Sequence, residues 1–193
     1  MWGNNLRIDK QKGLLISDEM PDSVLYRSSP HCDLRPLDAS IDMIVIHGIS
    51  LPPGDFGSGA VEAFFCGQLE MADHPYYREI AHLKVSSHLF IKRTGAIIQF
   101  VPFGERAWHA GESFFQGKSR CNDFSIGIEL EGTDEIPYED RQYEQLGKVV
   151  CLLRQAYPAI TQDRIVGHQH IAPGRKTDPG PVFDWKYLQG LFA

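Results

Sequence analysis

The amino-acid sequence predicts a mixed α/β fold, with α-helices flanking a central mixed β-sheet. Two segments give the clearest signals. Residues 43–46 form a short, wholly apolar run rich in β-branched side chains, which is typical of a strand buried on both faces. Residues 137–157 carry apolar side chains at helical spacing between two prolines, which predicts a long amphipathic helix. Because strands and helices do not alternate strictly, we expect a mixed sheet.

Shorter patterns add elements to the sheet and to the helices. Residues 86–93 and 96–101 are β-type runs separated by a Thr-Gly turn signal, which predicts a hairpin. Residues 61–65 indicate a short helix, and residues 165–167 indicate a brief strand. Asp184 can cap a last helix, whose side chains expected to face the core are Trp185, Leu188 and Leu191.

Residues 125–131 alternate apolar and small or acidic side chains. Ile126 and Ile128 share one face of the predicted strand, and Glu129 and Glu131 share the other. Because Glu129 and Glu131 share a face, the alternation does not indicate which of the two carboxylates has a functional role. The first strand, residues 43–46, is expected to end at His47.

The segment between the first strand and the hairpin is long and rich in turn residues. Within it, residues 71–83 are expected to be irregular. Long irregular insertions in compact domains often form the rim of a functional site. Whether residues 51–83 close over a ligand is left open by the sequence.

Length and composition indicate one domain spanning residues 1–193, since 42% hydrophobic and 23% charged residues are ordinary for a globular protein. No apolar run approaches the roughly 20 residues of a membrane span, and the N-terminus lacks the pattern of a signal peptide. We therefore expect a cytoplasmic protein that does not bind membranes. The four widely spaced cysteines are expected to be free thiols.

The formal net charge of −6 and the scattered basic residues argue against a nucleic-acid partner, because such binding depends on clustered positive charge. Nothing in the sequence indicates an obligate protein partner.

Two histidines and one aspartate are candidate metal ligands. His47 and His168 each follow an apolar run, and Asp178 lies in an Asp-Pro-Gly-Pro segment whose prolines restrict the backbone. Two imidazoles and a carboxylate, with a fourth position left open, are typical of catalytic zinc. Spacing alone is a weak signal, and His170 is a rival ligand because it would share the face of His168 on a strand. The histidines expected to be structural or in loops are His31, His74, His82 and His88.

Four stretches of the chain form a specific pattern: IHGISLPPG at residues 46–54, RAWHAG at 106–111, RCNDFSIGIELEG at 120–132 and RKTDPGP at 175–181. With these stretches the chain resembles the type 2 N-acetylmuramoyl-L-alanine amidases, a family that includes peptidoglycan-recognition proteins. The resemblance covers nearly the whole chain. It implies one catalytic zinc ion held by His47, His168 and Asp178.

Two positions refine the resemblance. Many members of the family have a cysteine at the third ligand position. An aspartate there, Asp178, makes the chain resemble the branch of the family that acts in cytoplasmic peptidoglycan recycling. That branch would bind a 1,6-anhydro-muropeptide and hydrolyse the amide between 1,6-anhydro-N-acetylmuramic acid and L-alanine. It would thereby remove muropeptides that signal β-lactamase induction. Gly48 departs from the asparagine expected there, which puts fine substrate orientation in doubt.

The resemblance also implies roles near the metal. Glu129 would be the general base, and Lys176 would stabilise the oxyanion of the tetrahedral intermediate. If the segment before Asp178 is extended, Lys176 and Asp178 point to the same side. Glu131 is expected to be a rim or surface charge.

Substrate contacts are expected from five further residues. Trp108 could stack on the sugar, and Arg120 could hold the carboxylates of the peptide. Asn122 and Asp123 could bond the anhydro-sugar, and Lys84 stands where relatives carry an arginine. His109, next to Trp108, is left without a role.

Two other functions remain open at this point. A recognition module of the same family would bind muropeptides without cutting them. A lytic amidase would act on polymeric peptidoglycan, but it would need export from the cytoplasm.

Overall fold

The structure is a computed structural model that describes residues 6–17 and 24–192. Its β-strands are Leu6–Asp9 (β1), Leu14–Ser17 (β2), Val24–Tyr26 (β3), Cys32–Leu34 (β4), Met43–Ile49 (β5), Leu89–Ile91 (β6), Ile97–Gln99 (β7), Glu105–Ala107 (β8), Phe114–Phe115 (β9), Lys118–Ser119 (β10), Ser125–Glu131 (β11) and Ile165–Gly167 (β12). Its α-helices are Ala60–Phe65 (α1), Pro75–Ile80 (α2), Asp140–Ala156 (α3), His168–Ile171 (α4) and Trp185–Phe192 (α5).

The central sheet has six strands in the order β12-β5-β11-β6-β7-β3. Strands β12, β5, β11 and β6 are mutually parallel, whereas β7 runs antiparallel to β6 and β3 runs parallel to β7. The sheet is therefore mixed and flanked by helices, which confirms the predicted fold class. The predicted hairpin is confirmed as the β6–β7 pair.

The two faces of the sheet serve different purposes. Ile44 and Ile46 of β5 and Ile128 of β11 pack into one apolar cluster with Leu146 of α3 and Leu188 of α5. Because successive side chains in a strand point to opposite faces, the odd-numbered residues of β5 and β11 project away from these helices. That second face is where the polar side chains of the site lie.

Several element bounds differ from the sequence-based prediction. Strand β5 does not end at His47, because Gly48 and Ile49 continue the parallel ladder with β11. The stretch 71–83, expected to be irregular, contains α2, whose first turn is capped by the His74 side chain accepting the Tyr76 backbone N–H at 3.1 Å. All residues of β11 are buried, so its acidic face is not an exposed one.

The helix ends also have local causes. The backbone N–H of Glu139 donates to Gln142 Oε1 at 3.0 Å, and this reciprocal cap begins α3 at Asp140, later than predicted. Asp184 caps α5 as predicted, accepting the Tyr187 N–H at 2.8 Å. Leu191 is 37% exposed, but its side chain faces α3, since a Cβ atom at Gly147 would lie 3.3 Å from Leu191 Cδ1, so the prediction that it faces the core is confirmed only in part. Across residues 6–17 and 24–192, no helix has the length and apolar character needed to cross a membrane.

Candidate active site

His47 and Glu129 stand side by side on adjacent parallel strands. The register pairs residue 47 of β5 with residue 129 of β11, so the two side chains project from the same face of the sheet. The distance from His47 Nδ1 to Glu129 Oε1 is 3.9 Å. The strand pairing that closes the core thus also places an imidazole beside a carboxyl group.

His168 reaches the same place from the neighbouring strand. Gly167 of β12 pairs with Ile46 of β5, and the chain turns into α4 immediately afterwards, which brings His168 next to His47. The loop after α4 returns Asp178 to the site, where its carbonyl accepts the Gln169 backbone N–H at 3.0 Å. Residues far apart in sequence therefore meet at the carboxyl edge of two parallel strands.

The three predicted ligands form one compact group. His47 Nδ1 lies 3.0 Å from His168 Nδ1 and 3.2 Å from Asp178 Oδ2, and His168 Nδ1 lies 3.1 Å from the same carboxylate oxygen. Nitrogen and oxygen donors that bind one tetrahedral zinc ion at about 2.0–2.2 Å stand at such separations from one another. The donor set and its spacing fit a zinc ion.

The protonation of His168 also fits a ligand. Its Nε2 lies 3.2 Å from the carbonyl oxygen of Ala110. A carbonyl can only accept, so this nitrogen carries the proton and donates. In the neutral ring, Nδ1 then presents its lone pair to His47 and Asp178, which is the form that coordinates a metal.

Burial and neighbouring charges set the protonation of the group. Burial, followed by the charge of His168, lowers the pKa of His47 to about 4, so its ring is neutral at pH 7. Burial alone would raise the pKa of Asp178, but the adjacent imidazoles of His168 and His47 outweigh it and hold that pKa below its ordinary value. The site therefore combines neutral imidazole with a carboxylate.

Glu129 differs from Asp178 in its surroundings. Burial raises the pKa of Glu129 well above its ordinary value, the charge of Asp178 raises it further, and Lys176 opposes both. Its Oε2 atom is buried and has no hydrogen-bond partner among the described residues. A carboxyl group in this state holds a proton more strongly than an ordinary glutamate does, as a proton acceptor in a reaction must.

A cavity of about 350 Å³ opens above these groups. Its polar floor contains the three candidate ligands and Glu129. Its opposite wall is apolar and comes largely from the segment between β5 and β6, including Phe64 of α1, Tyr76 and Ile80 of α2, and Leu83. The long insertion thus forms a rim of the cavity, as its sequence indicated.

Lys176 lines the same cavity as Asp178. A turn precedes Lys176, because the backbone N–H groups of Arg175 and Lys176 both donate to Ala172 O, at 3.1 and 3.0 Å. Residues 176 and 177 belong to no helix or strand, and the expectation that the segment from Lys176 to Asp178 is extended stays a prediction. Lys176 is exposed.

A comparison with protein families matches residues 37–181, three-quarters of the chain, to N-acetylmuramoyl-L-alanine amidase. The chain belongs to the N-acetylmuramoyl-L-alanine amidase family. The 1,6-anhydro-N-acetylmuramyl-L-alanine amidase AmpD of Salmonella typhimurium is 56% identical over 165 residues, covering 86% of this chain and 88% of that protein.

Solved structures of the amidase family have the same fold. A crystal structure of a selenomethionine derivative of AmpD superposes with a TM-score of 0.87 at 50% identity, covering 93% of this chain and 100% of that one. The Escherichia coli amidase AmiD, solved with the substrate anhydro-N-acetylmuramic acid-L-Ala-D-γ-Glu-L-Lys, gives a TM-score of 0.60 at 27% identity, covering 95% of this chain and 65% of that one.

The predicted substrate contacts of this amidase-family chain lie beside the cavity rather than in its lining. The Trp108 indole N–H donates to Asp33 Oδ1 at 3.0 Å, and Asp123 accepts a hydrogen bond from Arg106 at 2.5 Å. Arg120 is exposed, with Nε 3.3 Å from Asp123 Oδ2. Their roles toward a substrate stay predictions.

The remaining two predicted substrate contacts are Asn122, which is half-buried, and Lys84, which is exposed. Asn122 Oδ1 accepts the backbone N–H groups of His109 and Ala110, at 3.1 and 2.8 Å, which shapes the loop that carries His109. Lys84 is exposed and lies next to Leu83, which lines the cavity. Their roles also stay predictions.

Glu131 was expected to be a rim or surface charge; it is not at the surface, but it does contact the rim segment through Gly57. It is buried, and its two carboxylate oxygens accept the backbone N–H groups of Gly57 at 2.6 Å and Arg93 at 3.0 Å. Glu131 therefore fastens two loops to the end of β11. This also separates it from Glu129, because Glu129 alone of the pair has a free carboxylate oxygen.

His170, the rival ligand, points elsewhere. Since α4 begins at His168, the two rings do not share the face of a strand. Gly167 N–H donates to His170 Nδ1 at 2.9 Å, and the ring packs 5.6 Å from that of Trp185. His170 is therefore a structural residue at the start of α4.

Gly48, the departure from the amidase pattern, has a structural partner in Tyr138. A Cβ atom at residue 48 would overlap the Tyr138 hydroxyl oxygen but would stand 3.5 Å from Cζ. The same hydroxyl donates to the carbonyl oxygen of Pro179 at 2.9 Å, next to ligand Asp178. The tyrosine hydroxyl thus fills the space that a side chain at residue 48 would need.

We expect Gly48→Ala to lower the free energy of unfolding by about 1–3 kcal/mol, because it forces this hydroxyl aside. In a Tyr138→Phe background the same change should cost clearly less, which urea unfolding of the four proteins of the double-mutant cycle would measure. Gly132→Ala is the matched control, since its Cβ would lie 2.9 Å from Tyr138 Cζ and overlap ring carbon Cε1. Equal costs of Gly48→Ala in both backgrounds would contradict the steric explanation.

Proposed function

We propose that the protein is a zinc-dependent amidase that hydrolyses the bond between 1,6-anhydro-N-acetylmuramic acid and L-alanine in a 1,6-anhydro-muropeptide. The observation that carries the proposal is the ligand group, in which two imidazole nitrogens and a carboxylate oxygen lie within 3.2 Å of one another beside Glu129. The name of the Salmonella relative and the ligand of the AmiD structure support the substrate class.

His47, His168 and Asp178 would hold one zinc ion. Zinc with three protein ligands supplies Lewis acidity, which polarises a carbonyl and makes water a better nucleophile near pH 7. Asp178 is the one anion of the three, so the group as a whole retains positive charge when loaded. A site of this charge favours negative charge developing on an amide oxygen.

Glu129 moves the proton in this proposal. Its buried Oε2 accepts a proton from the attacking water, whose oxygen bonds to the carbonyl carbon. Glu129 then passes that proton to the nitrogen of L-alanine as the C–N bond breaks, which leaves a carboxylic acid and a free amine. The raised pKa of Glu129 suits both halves of this task, because the carboxyl group must gain and lose the same proton.

Lys176 and the apolar wall act on the substrate. The ammonium group of Lys176, a residue that lines the cavity, stabilises the oxyanion that forms as the carbonyl carbon becomes tetrahedral. The wall from α1 and α2 limits water and lowers the local dielectric, which strengthens that interaction. Trp108, Arg120, Asn122, Asp123 and Lys84 are proposed to contact the sugar and peptide outside this cavity.

We further propose that this reaction serves peptidoglycan recycling in the cytoplasm and lowers the muropeptide signals for β-lactamase induction. All four cysteines are free, which suits a reducing compartment. Removing the peptide from an anhydro-muropeptide would destroy such a signal at its source.

Incubating the purified protein with an anhydro-muramyl tripeptide tests the reaction. We expect mass spectrometry to find free tripeptide in the zinc-loaded sample and none after a chelator has removed the metal. Zinc added back should restore release. Binding of the muropeptide without any release would favour a recognition module, and equal rates on intact sacculi would favour a lytic amidase.

A further inference from the structure

A chain of hydrogen bonds leads away from His47 on the side opposite the ligand group. His47 Nε2 lies 2.9 Å from His109 Nδ1, and His109 Nε2 lies 3.1 Å from Ser125 Oγ. Ser125 Oγ lies 2.6 Å from the carbonyl oxygen of Cys121. All three side chains are buried: the exposed fraction is 1% for His47, 8% for His109 and 0% for Ser125.

The contact between Ser125 and the Cys121 carbonyl determines which atom is the donor in every hydrogen bond of this series. The carbonyl of Cys121 can only accept, so the Ser125 hydroxyl donates its one proton there. Ser125 Oγ is then left to accept from His109 Nε2, whose neutral ring must accept at Nδ1. His47 Nε2 consequently carries a proton and donates to His109, which leaves the lone pair of His47 on Nδ1.

The sequence makes room for this arrangement on strand β11. Ser125, Gly127 and Glu129 share one face of the strand, and the His109 ring lies over the glycine. A Cβ atom at residue 127 would stand 2.7 Å from both Nδ1 and Cδ2 of His109. Only a residue without a side chain allows the imidazole to bridge His47 and Ser125.

We propose that His109 and Ser125 are positioning residues for the zinc ligand His47. They hold the His47 ring in the tautomer whose Nδ1 lone pair faces His168 and Asp178, and they fix its orientation. Ala110 O does the same for His168, as described above. The inference rests on the zinc site of the proposed function. Partners of this kind typically change metal affinity by about 10–100-fold.

The other tautomer of His47 shows what the hydrogen bonds with His109 and Ser125 prevent. With the proton on Nδ1, His47 would point an N–H group at His168 Nδ1, 3.0 Å away, and could not coordinate a metal there. An apolar side chain at residue 109 would fill the same space but would not choose between the tautomers. This difference separates a positioning role from simple packing.

The zinc dissociation constant, measured by competition with a chromogenic chelator, tests the proposal. We expect His109→Leu to weaken zinc binding by about 10–100-fold and Ser125→Ala by about 10-fold. His109→Asn should bind more tightly than His109→Leu, since its amide oxygen can still accept from His47 Nε2. Because the two residues act in series, Ser125→Ala should add little in the His109→Leu background.

Ser113→Ala is the matched control. Ser113 is a buried serine whose hydroxyl donates to Gly111 O at 3.1 Å and accepts the Cys121 N–H at 3.1 Å. It therefore lies in the segment between His109 and Ser125 but takes no part in the hydrogen bonds that connect them to His47. It should bind zinc as tightly as the wild type. Circular dichroism of the metal-free proteins would identify any variant that fails to fold, and Ser125→Ala is then decisive.

The possible failures are distinguishable. Wild-type protein that binds no zinc would remove the proposed function itself. Wild-type protein that binds zinc, with Ser125→Ala and folded His109→Leu binding it equally tightly, would overturn only the positioning role. The electronic absorption of the cobalt-loaded proteins provides a second measure, since it shifts when the orientation of a ligand changes.

Discussion

Glu129→Gln is expected to lower kcat by roughly 10²- to 10⁴-fold, the range typical of a lost general acid–base, while zinc stays bound. Glutamine matches the shape of glutamate but cannot accept a proton near neutral pH. The three candidate metal ligands are untouched by this change, and Glu129 Oε1 is 3.9 Å from His47 Nδ1. Initial rates on an anhydro-muramyl tripeptide, together with the zinc content of the purified variant, measure both quantities.

Glu131→Gln is the control for this variant, because residue 131 lies on the same strand and the same face. Its carboxylate accepts backbone N–H groups of Gly57 and Arg93, so its replacement should lower stability and leave kcat within a few-fold of the wild type. A Glu129→Gln protein without zinc would show that residue 129 is a ligand rather than a proton carrier. Comparable losses of kcat in both variants would remove the distinction drawn between the two carboxylates.

Asp178→Ala is expected to abolish zinc binding at concentrations that saturate the wild type, and activity with it. A ligand that binds only the folded state stabilises it by RT ln(1 + [L]/Kd), about 2.7 kcal/mol at 100 times Kd. Thermal unfolding with and without zinc should therefore show an increase in Tm for the wild type and none for the variant. The rate of tripeptide release gives the matching loss of activity.

Asp178→Cys makes the second prediction more specific. A thiolate is a good zinc ligand, and its longer bond of about 2.3 Å partly offsets the shorter side chain. This variant should recover much of the zinc-dependent increase in Tm. Asp184→Asn, at the cap of α5, should respond to zinc as the wild type does, because Asp184 lies outside the ligand group. An Asp178→Ala protein that zinc still stabilises would contradict the assignment of the third ligand.

The sequence predicted best those elements whose signals are local. Strand β11 has the predicted bounds because its alternation is uninterrupted, and α3 ends close to the predicted position because Pro158 stops it. Strand β5 was predicted too short, since Gly48 and Ile49 belong to it through pairing with a partner strand that is distant in sequence. Local patterns do not contain such pairings.

The site shows the same division. The sequence presented Glu129 and Glu131 as equals, and only the contacts with Gly57 and Arg93 separate them. His109 had no recognisable signal beyond its place after Trp108. Its importance comes from His47, 62 residues away, and from Ser125, 16 residues away. The sequence placed Gly127 on the same face of β11 as Glu129, but it gave no sign of the His109 ring that the glycine accommodates.

The parallel register between β5 and β11 has a consequence for how this chain can vary. A slip of one residue would turn Glu129 from the cavity into the apolar layer under α3 and bring Leu130 out beside His47. An insertion or deletion within either strand would therefore expose apolar side chains and remove the carboxyl group from the site. Length changes in the rim between β5 and β6 leave the hydrogen-bonded pairing of the two strands intact. We expect lineages of this amidase to diverge by remodelling that rim, with the two central strands inherited at constant length.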